Sequence, residues 1–235
     1  MVGWIVPPPR LPVKTREEFS AERREKVRWL IERGFLKSPK MAEAILKVPR
    51  EEFVPMMYRD YAYQEVPLPI PGTSATISCP HSYPLFYEAL ELEWGNRFLE
   101  VGSGSGYGAA LAAEMVGKEG KVVTIEIDEE THRFAQRNLT EAGYGDVLLI
   151  LGDGSLGYRP EAPYDRICIT AACPKIPDPL VEQLREGGRL IAPIGRPQSP
   201  QDLVLLEKLG GGNVRVKSIE TVLYVALRGR YGWPV

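Results

Sequence analysis

The chain is poor in the residues from which metal centres and disulfide frames are built. Its 235 residues contain three cysteines (Cys79, Cys168 and Cys173), two histidines (His81 and His132), and no Cys-x-x-Cys pair. An odd thiol count without paired spacing argues against a disulfide framework and fits reduced thiols in a cytoplasmic protein. No metal ligand set is expected. No apolar run approaches the ~18–20 residues that a membrane-spanning helix needs. The opening Met1-Val-Gly-Trp-Ile-Val-Pro-Pro-Pro9 lacks both the basic start and the apolar length of a secretory signal. Charge of one sign is missing too: 29 basic and 31 acidic residues leave a net charge of −2. That balance offers no general attraction to nucleic acid or anionic lipid, so neither is expected as a partner.

What is present reads as one medium α/β domain with no internal repeat. Residues 1–14 are proline-rich and aperiodic, an arm without regular structure; 15–235 are expected to form a single domain. Within it, 15–92 are an N-terminal helical and active-site segment, 93–200 a core, and 201–235 closing strands. Thr15-Arg-Glu-Glu18 has capping-box spacing, with Val27, Leu30 and Ile31 as an apolar stripe and Gly34 as the stop. Ser38-Pro39 starts a second helix, through Ala42, Ile45 and Leu46, that ends before Pro49. The charge run Glu17–Arg28 reads as a solvated helix face. From Arg97 onward strands (97–101, 122–127, 147–151, 165–170, 188–193) alternate with helices (107–116, 128–142, 178–186). This is the pattern of a doubly wound, Rossmann-like parallel sheet covered on both faces. Gly187-Gly188 is expected to turn the last helix into its strand. Residues 201–209 and 214–228 read as a β-hairpin around Gly210-Gly-Gly-Asn213.

The chemistry is concentrated in Leu99-Glu-Val-Gly-Ser-Gly-Ser-Gly-Tyr-Gly-Ala-Ala110, where a strand runs through Gly102, Gly104 and Gly106 into a helix. Such a loop brings bare backbone to a ligand at the strand's carboxyl end. Gly104, Gly106 and Ala109 also satisfy the loose dinucleotide pattern G-x-G-x-x-A. Glu126, twenty residues beyond Gly106, could accept from ribose hydroxyls of either ligand. Two acids tip the balance. Glu100 would set a carboxylate where a dinucleotide places its pyrophosphate, and Asp153, between Gly152 and Gly154, can reach an adenine amino group. S-adenosylmethionine, carrying an ammonium and a sulfonium, suits these anions better.

Two further segments should converge on that loop. Thr170-Ala-Ala-Cys-Pro174 lacks the Asn/Asp-Pro-Pro-aromatic run of many enzymes that methylate exocyclic amines, and its small residues leave room for a chain to pass. Pro67–Pro80 is rich in prolines and hydroxyls and leads into an expected helix at 81–92. Ser78 could cap that helix, with Pro80 in its first turn, or serve the site. Cys79 and Cys173 read as inert small residues rather than nucleophiles.

The run Ala75-Thr-Ile-Ser-Cys-Pro-His81, followed by LEVGSGSGYGAA, LLILGDGSLGY, APYD and LREGGRLIAPIG, resembles the protein-L-isoaspartate (D-aspartate) O-methyltransferase family from about Tyr61 to Leu227. The resemblance implies methyl transfer from S-adenosylmethionine, leaving S-adenosylhomocysteine, to the α-carboxylate of L-isoaspartyl and, less readily, D-aspartyl residues of aged proteins. It implies that Ser78 and Thr76 are the catalytic residues, with Thr76 and Ile77 lining the cofactor and acceptor region. Glu100 and the Gly102–Gly106 backbone would hold the methionine end of the cofactor. Glu126 and Ile127 would sit at the ribose, and Asp153 and Gly154 at the adenine. Ala75, Thr170, Ala171, Ala172 and Val225 would line the acceptor. The expected state is a monomer whose partners are isoaspartyl-containing proteins and peptides. The chain departs from the pattern at Ala226, usually a proline, and at Arg228, which could either attract a carboxylate or face solvent.

Overall fold

The computed structural model describes residues 6–234. The helices begin where side chains satisfy their free amides. In α1 (Arg16–Glu32) the Thr15 hydroxyl accepts from the Glu18 amide at 3.2 Å, and the Glu18 carboxylate accepts from the Thr15 amide at 2.7 Å. In α2 (Pro39–Lys47) Ser38 caps, and proline occupies the first turn, where its missing N–H costs nothing. Both helices differ from expectation in detail. Phe19, Val27 and Leu30 form the buried stripe of α1 while Ile31 is exposed; in α2 Met41, Ala44 and Ile45 are buried while Leu46 is exposed. The surface each helix meets, not the apolar residues alone, sets which stripe is covered.

The strands β1 (Leu68–Pro69) and β2 (Thr76–Ile77) form a small antiparallel pair, followed by α3 (Ser82–Leu90). Then come β3 (Arg97–Val101), α4 (Tyr107–Val116), β4 (Lys121–Glu126), α5 (Glu129–Glu141), β5 (Leu148–Leu151), β6 (Tyr164–Ile169) and α6 (Asp178–Gln183). The chain closes through β7 (Leu184–Ile194), β8 (Gln201–Lys208) and β9 (Val214–Val222). The large sheet has the order β5-β4-β3-β6-β7-β8-β9, parallel through β7 and antiparallel in the last two. Successive strands leave β3 in opposite directions, so a crevice opens beyond the carboxyl ends of β3 and β6.

Alternation along β3 assigns the two faces. Phe98 lies in the larger core with α1–α5, and Leu99 and Val101 lie in the smaller core with Leu180 of α6. The second face is therefore covered by one short helix, irregular segments and the tail residue Leu227. The expected turn at Gly187-Gly188 is absent. The helix stops at Gln183, and Leu184, 1% exposed, already pairs with Tyr164 in the sheet. The glycines fall inside β7 where its register with β6 shifts, and Gly187 takes φ +73°, a left-handed conformation open to glycine. Burial of Leu184 against the sheet outweighs another helical turn.

The charge run of α1 is only partly solvated. Arg23 donates to the Tyr63 hydroxyl (2.8 Å) and to Glu51 (2.6 Å), and Lys26 donates to Glu65 (3.0 Å). The described part of the arm is irregular, as expected, but anchored: Asp60 accepts from the Val13 amide at 3.2 Å and pairs with Arg10 at 3.1 Å. Residues 1–5 of that arm lie outside the described residues.

Candidate active site

The glycine loop sits at the switch point, with Gly102, Gly104 and Gly106 all at positive φ. Gly106 caps α4, and Glu126 closes the next strand along. The Glu126 carboxylate accepts from the Gly104 amide at 3.1 Å, and from Ile127 and Asp128 at 2.9 and 3.1 Å. Burial raises its pKa, and those three amides oppose the rise. They use three of the about four acceptor positions a carboxylate offers, leaving room for one more donor. Ile127 is 38% exposed beside it, and Leu151, at the end of β5, is exposed as well.

Glu100 is not at the loop mouth. It is 2% exposed and lies under α4, so close that a Cβ on Gly108 would stand 2.2 Å from its Oε1. Burial pushes its pKa up to about 8. The Thr124 hydroxyl lies 2.7 Å from Glu100 Oε2 and 2.7 Å from Ser103 Oγ. The Ser103 hydroxyl can donate to Thr124 and Thr124 in turn to Glu100, so the chain closes with either protonation state and it is burial that favours the neutral acid. The expectation of an exposed anion at this position is corrected: strand alternation turns the side chain into the α4 core, not toward the crevice.

The segment ahead of the sheet crosses the loop. The Thr76 carbonyl oxygen and the Ile70 side chain both lie 3.8 Å from where a Cβ on Gly104 would stand. Thr76 is exposed, Ile77 is 1% exposed, and Ala75 and Ser78 are half-buried. Ser78 does not cap α3. That position belongs to His81, which makes no side-chain cap bond. The Ser78 carbonyl instead accepts from Arg50 at 2.6 Å. Tyr224 packs alongside: burial holds its phenol above the ordinary range, partly offset by hydrogen bonding to Ser82 and Ser78.

On the other side, the Thr170 hydroxyl donates to the Gly102 carbonyl at 2.8 Å, and Ala171 and Ala172 are buried. Ala172 exchanges backbone bonds with the tail at Val225 (2.7 Å) and Leu227 (2.9 Å), and the Val225 side chain is exposed. Asp153 accepts from the Ser155 amide and hydroxyl at 2.9 and 2.6 Å and from the Arg230 amide at 2.7 Å. Gly154 beside it is buried. Glu126 at Gly104, Thr170 at Gly102 and Thr76 over Gly104 thus meet at the glycine loop, while Glu100 lies beneath it.

Several participants are invisible to sequence patterning. Asp128 caps α5, accepts from the Thr73 amide at 3.3 Å and pairs with Arg228 at 3.3 Å, tying the segment over the loop to the tail. Arg228 therefore does not face solvent alone: its Nη2 has a carboxylate partner in Asp128. Cys79 and Cys173 are buried, and burial pushes their thiols up to about 11 and about 12, as inert groups require. Among the described residues, donor atoms of Glu65, Cys79 and His81 lie within 4.8 Å of one another. The Lys26 ammonium and the His81 ring already occupy that carboxylate. No described helix is long and apolar enough to cross a membrane.

A sheet that is parallel through β7 and closed by two antiparallel strands, with a glycine loop at its switch point and an acid ending the next strand, is a class I S-adenosylmethionine-dependent methyltransferase fold, as the solved relative below bears out. The sequence profile of protein-L-isoaspartate(D-aspartate) O-methyltransferase (PCMT) matches residues 21–232, and the chain belongs to that family. It is 48% identical over 212 residues to protein-L-isoaspartate O-methyltransferase 2 of Archaeoglobus fulgidus, covering 90% of this chain and 95% of that one. It is 45% identical over 212 residues to the corresponding protein of Methanothermobacter thermautotrophicus, covering 90% and 97%. A solved protein-L-isoaspartate O-methyltransferase, 32% identical, matches 89% of this chain and 67% of its own length with a TM-score of 0.77. A Plasmodium falciparum structure described as a PCMT, crystallised with S-adenosyl-L-homocysteine, gives a TM-score of 0.78 over 88% of this chain and 98% of that chain. At 24% identity it speaks for the fold alone.

Proposed function

We infer that this chain is a protein-repair methyltransferase. It moves the methyl group of S-adenosylmethionine to the α-carboxylate of L-isoaspartyl, and less readily D-aspartyl, residues of damaged proteins and peptides. The observation that carries this is the family match over residues 21–232, which takes in both the glycine loop and Ala75–His81.

The crevice fits such a cofactor: bare loop backbone, a carboxylate with an acceptor position to spare, and the exposed apolar side chains of Ile127 and Leu151 flanking it. When bound, S-adenosylmethionine supplies an electrophilic methyl group on a cationic sulfur. Gly102, Gly104 and Gly106 admit the methionine end to the backbone, and Glu100 supports that loop from below. Glu126 and Ile127 take the ribose, and Asp153 and Gly154 the adenine. Thr76 and Ile77 pack over the loop. The Ser78 hydroxyl donates to the acceptor carboxylate and orients it, in a cleft lined by Ala75, Thr170, Ala171, Ala172 and Val225. A carboxylate with a pKa near ~4 is ionised at neutral pH and needs no base, so the protein's part is alignment and exclusion of water. The single domain at 15–235, a monomeric state, a cytoplasmic setting and the lack of a nucleic-acid partner belong to the same reading.

The test uses labelled S-adenosylmethionine and two peptides that differ only in an isoaspartyl or aspartyl linkage. The expected result is label on the isoaspartyl peptide alone, released by base as methanol. Equal labelling of both peptides, or base-stable label, overturns the reading.

A further inference from the structure

Among the described residues, Arg50 is a buried cation with no carboxylate partner. It is 1% exposed, its Nε donates to the Ala62 carbonyl and its Nη2 to the Ser78 carbonyl, both at 2.6 Å, and its Nη1 has no partner. Its neighbour in sequence, Glu51, is turned away to Arg23 and Tyr63. The guanidinium carbon stands 5.6 Å from the Tyr83 ring and 5.2 Å from the Tyr107 ring. Tyr83 hydrogen-bonds to Arg50 and both rings face its guanidinium, but burial holds both phenols above their ordinary range, so neither supplies a negative charge. A buried charge left unpaired is costly, and folded chains rarely keep one that an anion does not answer.

We propose that Arg50 is a positioning residue for the acceptor carboxylate: its two carbonyl bonds set the Ser78 backbone, and its unpaired charge draws the anion to the Ser78 hydroxyl. The inference rests on the reading of Ser78 as the group that meets the acceptor. The guanidinium is 2.6 Å from the Ser78 carbonyl, and a carboxylate at the Ser78 hydroxyl lies about one residue's span (~3.8 Å) further, roughly 6–7 Å away, where a unit charge at an effective dielectric of about 20 changes affinity on the order of tenfold to fiftyfold. The charge also sorts acceptor from product. Methylation turns the anion into a neutral ester, and the attraction to Arg50 ends with it. Because the attraction already fades on the way to the transition state, it acts on KM more than on kcat.

Arg50→Met and Arg50→Lys are compared with wild type in steady-state kinetics on an isoaspartyl peptide, with calorimetry for S-adenosylhomocysteine. Arg50→Met is expected to raise KM at least tenfold while kcat and cofactor affinity stay within about threefold. Arg50→Lys, keeping the charge but not both carbonyl bonds, is expected to recover most of that loss. The acid limb of the kcat profile should move to higher pH in Arg50→Met, because the bound carboxylate loses the charge that favours its ionised form. A merely structural Arg50 would leave that limb in place and make the two variants equally poor; either result overturns the proposal. If Arg50→Met does not fold, Arg50→Lys decides alone, and a tenfold KM loss with charge retained refutes the electrostatic role. Ser78→Ala separates the two readings: an unchanged turnover there, beside a raised KM in Arg50→Met, removes Ser78 as the partner while leaving the charge effect standing.

Discussion

Replacing Glu100 by glutamine should change the pH dependence of stability more than any surface substitution. In the fold this carboxyl is 2% exposed with a pKa of about 8, against 4.5 for the ordinary group. Between those values the folded chain holds a proton that the unfolded chain has released, so the free energy of unfolding falls as pH rises through the window. Below 4.5 both states are protonated and the group is neutral to stability; above 8 both are ionised and its full cost is felt. One pKa unit corresponds to about 1.36 kcal/mol, which makes the whole span on the order of 4–5 kcal/mol. Glutamine fills the same space and has no proton to lose. Denaturant unfolding at pH 5, 7 and 9 should therefore show Glu100→Gln close to wild type at pH 5 and more stable by several kcal/mol at pH 9. Titrating groups not coupled to Glu100 are common to both proteins and cancel in the difference; Glu126, which feels its charge, adds a smaller change of its own. A difference that stays flat with pH would refute the reasoning. Calorimetry adds a second arm. A neutral group beneath the loop predicts cofactor affinity unchanged within a few-fold at pH 7. A loss of about 1.5–3 kcal/mol would mean that an ionised carboxylate touches the ligand's ammonium after all.

The remaining predictions concern groups around the crevice. Glu126→Ala should weaken S-adenosylhomocysteine binding by about 1.5–3 kcal/mol in calorimetry, the range for hydrogen bonds to a charged group; unchanged affinity removes it from the ribose. Ser78→Ala should lower turnover far more than cofactor affinity, and since Ser78 makes no cap bond and Tyr224 keeps Ser82 as a partner, the thermal midpoint should hold within a few degrees. Asp128→Ala removes the α5 cap and the link between Thr73 and Arg228, so stability should fall by about 1 kcal/mol. Limited proteolysis should then begin at 71–75 and 228–230; cleavage elsewhere would show that these segments are held by other contacts.

Local signals were legible wherever a residue's neighbours in sequence are also its neighbours in space. The β3 and α4 boundaries, the Thr15 box and the Ser38 cap follow from alternation, glycine placement and capping chemistry within a few residues. Legibility stopped where a distant surface chooses. The exposed Ile31 and Leu46 satisfy helical spacing as well as the buried residues do, and only the packing partner separates them. The end of α6 was misplaced for the same reason, since Leu184 answers to Tyr164, twenty residues earlier. In the crevice, the residue types and their order were readable, but the direction of Glu100 was not. A strand residue chooses between two faces, and nothing in the residues around Glu100 says which of them α4 will cover.

By itself the sequence determined the alternation of strands and helices, the glycine loop between β3 and α4, and the run of residues that marks the family. Each is written in spacing a few residues long, where backbone geometry leaves few choices. The tertiary structure alone decided which charges meet. It set Arg50 against the carbonyl of Ser78, 28 residues away, and Asp128 against Arg228, 100 residues away. It also put Glu100 in an apolar core that keeps its proton on. Such pairings depend on the strand order and on what lies behind each face, and no local pattern encodes the dielectric in which a side chain will stand.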